Sequence, residues 1–129
     1  MEFTRIKETC LYIKDIKATK HFYHDLLGLP FIGEKPGEYV MFRAGTSVLL
    51  CFIPEATKVQ TNLPPHFGSG HLHFAFECPP EDYAAWKAKV EEAGIAIEHE
   101  QHWGREVYSF YFRDPDDHAV EIVMPGLWD

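Results

Sequence analysis

The chain is short of positive charge: 12 lysines and arginines stand against 20 acidic residues, a formal net charge of -8. A surface of that sign repels phosphate backbones and anionic lipid, which excludes nucleic acid and membrane surfaces as partners. Cysteine is also sparse. Cys10, Cys51 and Cys78 are an odd number without CxxC spacing, so a disulfide scaffold is excluded and reduced core thiols are expected. No apolar run approaches the roughly 18 residues of a membrane span, and the first residues lack the run of about seven that a secretory leader needs. A cytoplasmic protein follows. What is present is 129 residues, 46% of them hydrophobic and 15% aromatic, enough for one domain with an unstapled core.

Periodicity and breakers divide that domain. A strand is expected over 6–13, then a helix capped by Asp15 and running to about Leu27, closed by Gly28 and Pro30. Short strands follow around Phe31, over 39–42 and over 48–53, with Gly37 and Gly45 at turns. Residues 54–70, rich in Pro, Thr, Asn and Gly, carry no period. The order then repeats: a strand over 71–78, a helix over 80–93 closed by Gly94, and strands over 95–98, 107–113 and 119–124. On the second helix Tyr83, Trp86 and Val90 form a core stripe. Gly68-Ser-Gly70 lacks a third glycine and a preceding strand, so it is a turn and not a nucleotide loop.

The two halves match in detail. Ile13 aligns with Cys78 at an offset of 65, Gly28 with Gly94 at 66, Phe42 with Phe112 at 70, and Pro54 with Pro125 at 71. Duplication is the simplest account. The fold class is therefore α+β, with two tandem βαβββ modules, 1–56 and 70–129, joined by a linker over 57–69 in a single domain.

Strand alternation then sorts the polar residues. Leu11 and Ile13 facing the first helix put Glu8, Cys10 and Tyr12 on the opposite face. Phe76 and Cys78 do the same in the second module and leave His73 where Glu8 stood. On the last strand Val120 and Ile122 take one face and Glu121 the other, among apolar neighbours where an isolated carboxylate needs a partner. The mirror of Glu121 is Leu50. One histidine and two carboxylates from different strands suit an open divalent-cation site, rich in oxygen donors, rather than a closed structural zinc.

Glu8-Thr-Cys-Leu-Tyr-Ile-Lys-Asp15, Phe22-Tyr23 and Leu27-Gly28-Leu29 resemble the opening of the vicinal oxygen chelate superfamily. That superfamily includes glyoxalase I, bleomycin resistance proteins, fosfomycin resistance enzymes and extradiol dioxygenases. His73-Phe-Ala-Phe, Gly94-Ile and the run from Ser109 through Asp114-Pro115-Asp116-Asp117-His118 to Glu121 resemble its second half. The resemblance implies a half-open, curved mixed sheet and a metal held by Glu8, His73 and Glu121, one ion per site drawn from Mn, Ni, Co, Fe, Zn or Mg. It implies Lewis-acid chemistry on a small oxygenated substrate, as a lyase, isomerase, transferase or ring-cleaving enzyme, with Glu8 or Glu121 doubling as catalytic base and Glu8 favoured.

Two departures stand out. Leu50 occupies the position of a further glutamate in glyoxalase I, and Glu8 that of a histidine in dioxygenases and fosfomycin enzymes. Asp117, where glycine is common, tolerates a positive φ. The resemblance further implies substrate contacts from Tyr39, Leu50, Ser109 and Tyr111, and from Trp103 and Arg105 in a loop over 98–106, Arg105 orienting an anion. His71, sharing a face with His73, supports the ligands or replaces one. A homodimer with sites shared between chains is implied as well. The alternative is a metal-free, drug-sequestering binder whose cleft is furnished by Tyr12, Phe52, Trp103 and Trp128.

Overall fold

Burial alternates along the first strand as its sequence dictates. In the computed structural model, which describes residues 1–129, Leu11 and Ile13 are buried while Glu8, Cys10 and Tyr12 face the other way. The chain divides into two compact units, Met1–Ser69 and Gly70–Asp129. In the first, β1 (Glu8–Tyr12), β2 (Phe31–Lys35), β3 (Tyr39–Ala44) and β4 (Ser47–Phe52) form one sheet in the order β1-β4-β3-β2. β1 runs parallel to β4, and the other pairs are antiparallel. Helix α1 (Ile16–Lys20) is capped by the Asp15 carboxylate, which accepts the Ala18 N–H at 3.1 Å. It widens into a π-helical turn, His21–Leu26, where the Leu27 N–H reaches back to the Phe22 carbonyl at 3.1 Å. Phe22, Tyr23 and Leu27 join Leu11, Ile13, Val40, Phe42, Leu49 and Cys51 in that unit's core.

The second unit repeats the plan. β5 (His73–Glu77), β6 (His99–His102), β7 (Tyr108–Arg113) and β8 (Ala119–Val123) are ordered β5-β8-β7-β6, with β5 parallel to β8. Helix α3 (Tyr83–Glu92) follows a single 3₁₀ turn, Pro80–Asp82. Its Tyr83 and Val90 are buried, and the Tyr83 ring meets Phe110 edge-on at 5.4 Å. Trp86 is only half-buried, with the Lys89 ammonium 4.9 Å from its ring centre.

Three expectations are corrected. The expected strand over 95–98 forms instead at His99–His102, on the sheet edge. The stretch without a period contains a five-residue helix, α2 (Pro54–Lys58), started by a proline at its first position. Cys10 is half-buried on the face of Glu8 rather than in the core, whereas Cys51 and Cys78 are buried and none of the three is in a disulfide.

Register restates the duplication. In the first unit Cys10, Leu50, Met41 and Gly33 form one cross-strand row. In the second, the row in the same topological position is Ala75, Glu121, Tyr111 and His99. These pairs are separated by 65, 71, 70 and 66 residues, the offsets already visible in the sequence.

Candidate metal and substrate site

β5 and β8 lie parallel, so His73 and Glu121 reach the same face from adjacent strands, two rungs apart. His73 donates its Nδ1–H to the Ala119 carbonyl at 2.8 Å. That bond leaves Nε2 as the outward ligand atom of the ring. Nε2 stands 3.4 Å from Glu121 Oε1. Two donors each about 2.1 Å from one ion and at roughly right angles lie about 3 Å apart, so the pair has the spacing of neighbouring ligands. Glu121 is 4% exposed, and its Oε2 has no hydrogen-bond partner. A buried carboxylate oxygen without a hydrogen-bond partner, beside an outward imidazole nitrogen, is an environment that a cation satisfies.

Tyr111 stands opposite Glu121 in the register. Burial pushes its phenol up most, the Ser109 hydroxyl opposes that, and the charge of Glu121 and a hydrogen bond to it add to the rise, so the hydroxyl stays protonated at neutral pH and donates toward Glu121. His73, Glu121 and Tyr111 line a cavity of about 310 Å³. Ala75, Glu77, Val123 and Met124 also line it, together with Trp103, Leu127 and Trp128 from the flanking loops. No lysine or arginine lines it.

The remaining sequence-derived residues fall as follows. Trp103 lines the cavity, and its indole N–H donates to Ser109 Oγ at 2.9 Å, so buried Ser109 holds the ring rather than facing open space. Arg105, expected to orient an anion, donates from Nη2 to the Gly126 carbonyl at 3.0 Å and does not line the cavity. His71 precedes β5 and turns to Asp117, with Nε2 4.0 Å from Oδ2, so it does not support His73. In the first unit Glu8 is exposed at the head of β1, and Leu50 is half-buried in register with Cys10 and Met41. The Tyr39 ring lies 6.4 Å from that of Phe52. Tyr12 and Phe52 share that unit with His66, whose Nδ1 is 2.6 Å from the Tyr12 hydroxyl.

Sequence reasoning missed Met124 and Leu127 as cavity walls and His66 as a partner of Tyr12. Only their nearness to the last strand or to the linker marked them. It also missed a second cluster, Asp114, Asp116 and His118, whose ligand atoms lie within 4.8 Å of one another. There Asp114 Oδ1 accepts the N–H groups of Asp116 and His118, both at 2.9 Å, and His118 Nδ1 accepts the Leu72 N–H at 2.9 Å. Those bonds build the β7–β8 turn, with Asp117 at φ +61° as its sequence suggested.

Fold and site together define a paired βαβββ protein with a His and carboxylate centre beside an aromatic cavity. The model of the Glyoxalase/Bleomycin resistance protein/Dioxygenase superfamily matches residues 5–122, and the chain belongs to that superfamily. It is 31% identical to the glutathione transferase FosA of Serratia marcescens over 91% of this chain and 78% of that one. It is 25% identical to the metallothiol transferase FosB of Staphylococcus epidermidis, over 100% and 87%. Among solved structures it resembles a lactoylglutathione lyase from Agrobacterium tumefaciens, 35% identical, with a TM-score of 0.92 over 98% of both chains.

Proposed function

We propose that the chain is a divalent-metal enzyme acting on a small oxygenated substrate, with His73 and Glu121 as ligands and Glu8 as the third. The observation that carries this reading is the buried, unpartnered Oε2 of Glu121 beside the outward Nε2 of His73. When bound, a divalent ion supplies Lewis acidity toward paired substrate oxygens. The chain's own groups do the rest. The Ala119 carbonyl fixes the imidazole tautomer, the Tyr111 hydroxyl steadies the Glu121 carboxylate, and the apolar walls exclude water. Glu8, exposed and on a flexible-reach side chain, is the carboxylate we assign as base.

The relatives support an enzyme: those named above are transferases and a lyase. A metal-free binder uses the aromatic walls but has no need of the His73 tautomer or of the Glu121 burial. We further propose a homodimer sharing sites between chains and work in the cytoplasm, which suits three cysteines without a disulfide. No helix is long and apolar enough to cross a membrane.

The test is metal analysis after purification without chelator, followed by titration with Mn²⁺, Ni²⁺ and Co²⁺. About one ion per chain is expected, with uptake abolished in Glu121→Ala and in His73→Ala. A wild-type chain that takes up none of the three ions refutes the reading.

A further inference from the structure

A backbone conformation that bulky residues avoid stands beside the cavity, at a residue with no sequence reason to adopt it. Trp128 has φ +74°, a region bulky side chains avoid, and its side chain is almost fully exposed while lining the cavity. Three hydrogen bonds hold the hook that carries it. The Gly126 N–H donates to Asp129 Oδ2 at 3.0 Å, the Asp129 N–H reaches the Gly126 carbonyl at 3.4 Å, and Arg105 Nη2 donates to the same carbonyl at 3.0 Å. Gly126 itself is at φ +106°, and a Cβ there would sit 2.9 Å from Val107 Cγ2, so only glycine closes the hook. Trp103, locked on Ser109, lines the same cavity.

Charge then limits the occupant. Without an ion on His73 and Glu121, the cavity carries the carboxylates of Glu77 and Glu121 and no lysine or arginine. An anionic group such as a phosphonate gains nothing from these walls and is repelled by them, whereas a flat ring gains stacking and, if positive, attraction to the indole faces. We propose that the 126–129 hook holds Trp128 as a specificity-determining wall, and that the cavity takes the flat, non-anionic ring of the substrate whose oxygens approach His73 and Glu121. This rests on the metal reading for the oxygen end alone. Arg105 acts through Gly126 and is a positioning residue.

Three probes that share a 2-naphthylmethyl group and end in an alcohol, a trimethylammonium or a phosphonate test this by calorimetry on metal-stripped protein. Manganese titration runs on the same samples. The alcohol and ammonium should bind, and the phosphonate about tenfold or more weakly. Trp128→Ala should weaken the two binders by about threefold to tenfold, and Trp128→Phe should restore most of the loss. Arg105→Ala should weaken them in the same way and Arg105→Lys recover them, with manganese uptake unchanged in all four variants. A phosphonate that binds as well as the alcohol, no binding by any probe, or a Trp128→Ala variant equal to wild type overturns the inference. Lost manganese uptake with ring binding intact strikes the metal reading instead.

Discussion

A single carboxylate carries most of the proposed chemistry. Glu121 sits on a central strand, 4% exposed, with one oxygen near an imidazole and the other unpartnered. Burying such a group without a compensating charge costs stability, so without an ion it opposes folding. Glu121→Leu should therefore raise the stability of chelator-treated protein by about 1–2 kcal/mol, seen as a higher melting temperature. The same variant should lose the rise that Mn²⁺ gives wild type, about 2.7 kcal/mol at a hundred times the dissociation constant. A melting temperature that falls in the stripped variant would mean that the carboxylate is already satisfied by protein. The residue was legible in the sequence because it interrupts an apolar strand. Its unpartnered oxygen was not, because that depends on where the neighbouring strands place their side chains around it.

Elements differ in how their bonds respond to acid. Glu100, on edge strand β6, accepts from Lys87 Nζ at 2.9 Å and from the Tyr83 hydroxyl at 2.8 Å, tying that strand to α3. Lys87 first, and then Tyr83, hold its carboxyl below the usual range, while burial pushes the Tyr83 phenol far up and keeps it a donor. A depressed folded pKa contributes stability above the unfolded value near 4.3 that is lost as pH falls through the folded one. Melting followed from pH 6 to pH 3 should show Glu100→Gln less acid-sensitive than wild type, by about 1 kcal/mol or less for so exposed a pair. Equal slopes would dismiss the tie.

A second element-level test concerns Gly68, where a Cβ would lie 2.8 Å from the Tyr12 ring, itself held by His66 at 2.6 Å. Gly68→Ala should cost about 1–3 kcal/mol in urea unfolding. The elements that escaped the sequence reading share a physical cause. β6 reads His-Glu-Gln-His, the polar composition of an edge strand, so it has no apolar alternation to find, and Ile95 and Ile97 before it mimic one. α2 has five residues, too few for a period to show. The strands and helices that face a core on one side, by contrast, were placed to within a few residues, because burial imposes the pattern.

At the scale of the whole chain, one plan has been used twice with different residues in the central row. Glu121, Tyr111 and His99 are polar in the second unit, and their topological equivalents Leu50, Met41 and Gly33 are apolar in the first. That asymmetry was readable from offsets in the sequence because pairing register transmits a strand's spacing unchanged. The hook at Trp128 lies past the last aligned pair, Pro54 and Pro125, and had no such counterpart. If the units combine into a site, in one chain or across a dimer, Leu50 faces an ion as Glu121 does. Sedimentation at micromolar concentration should show a dimer, and a monomer alone would remove the shared-site version. Position 50 then gives the sharper test. Leu50→Glu should add a carboxylate ligand, tighten Mn²⁺ binding by about tenfold or more, and lower turnover by filling a place that substrate oxygens need. Leu50→Ala should leave metal affinity nearly unchanged. The absorption spectrum of bound Co²⁺ reports ligand number directly, and a Leu50→Glu spectrum identical to wild type would show that residue 50 does not face the ion, ending the equivalence on which Glu8 was paired with His73.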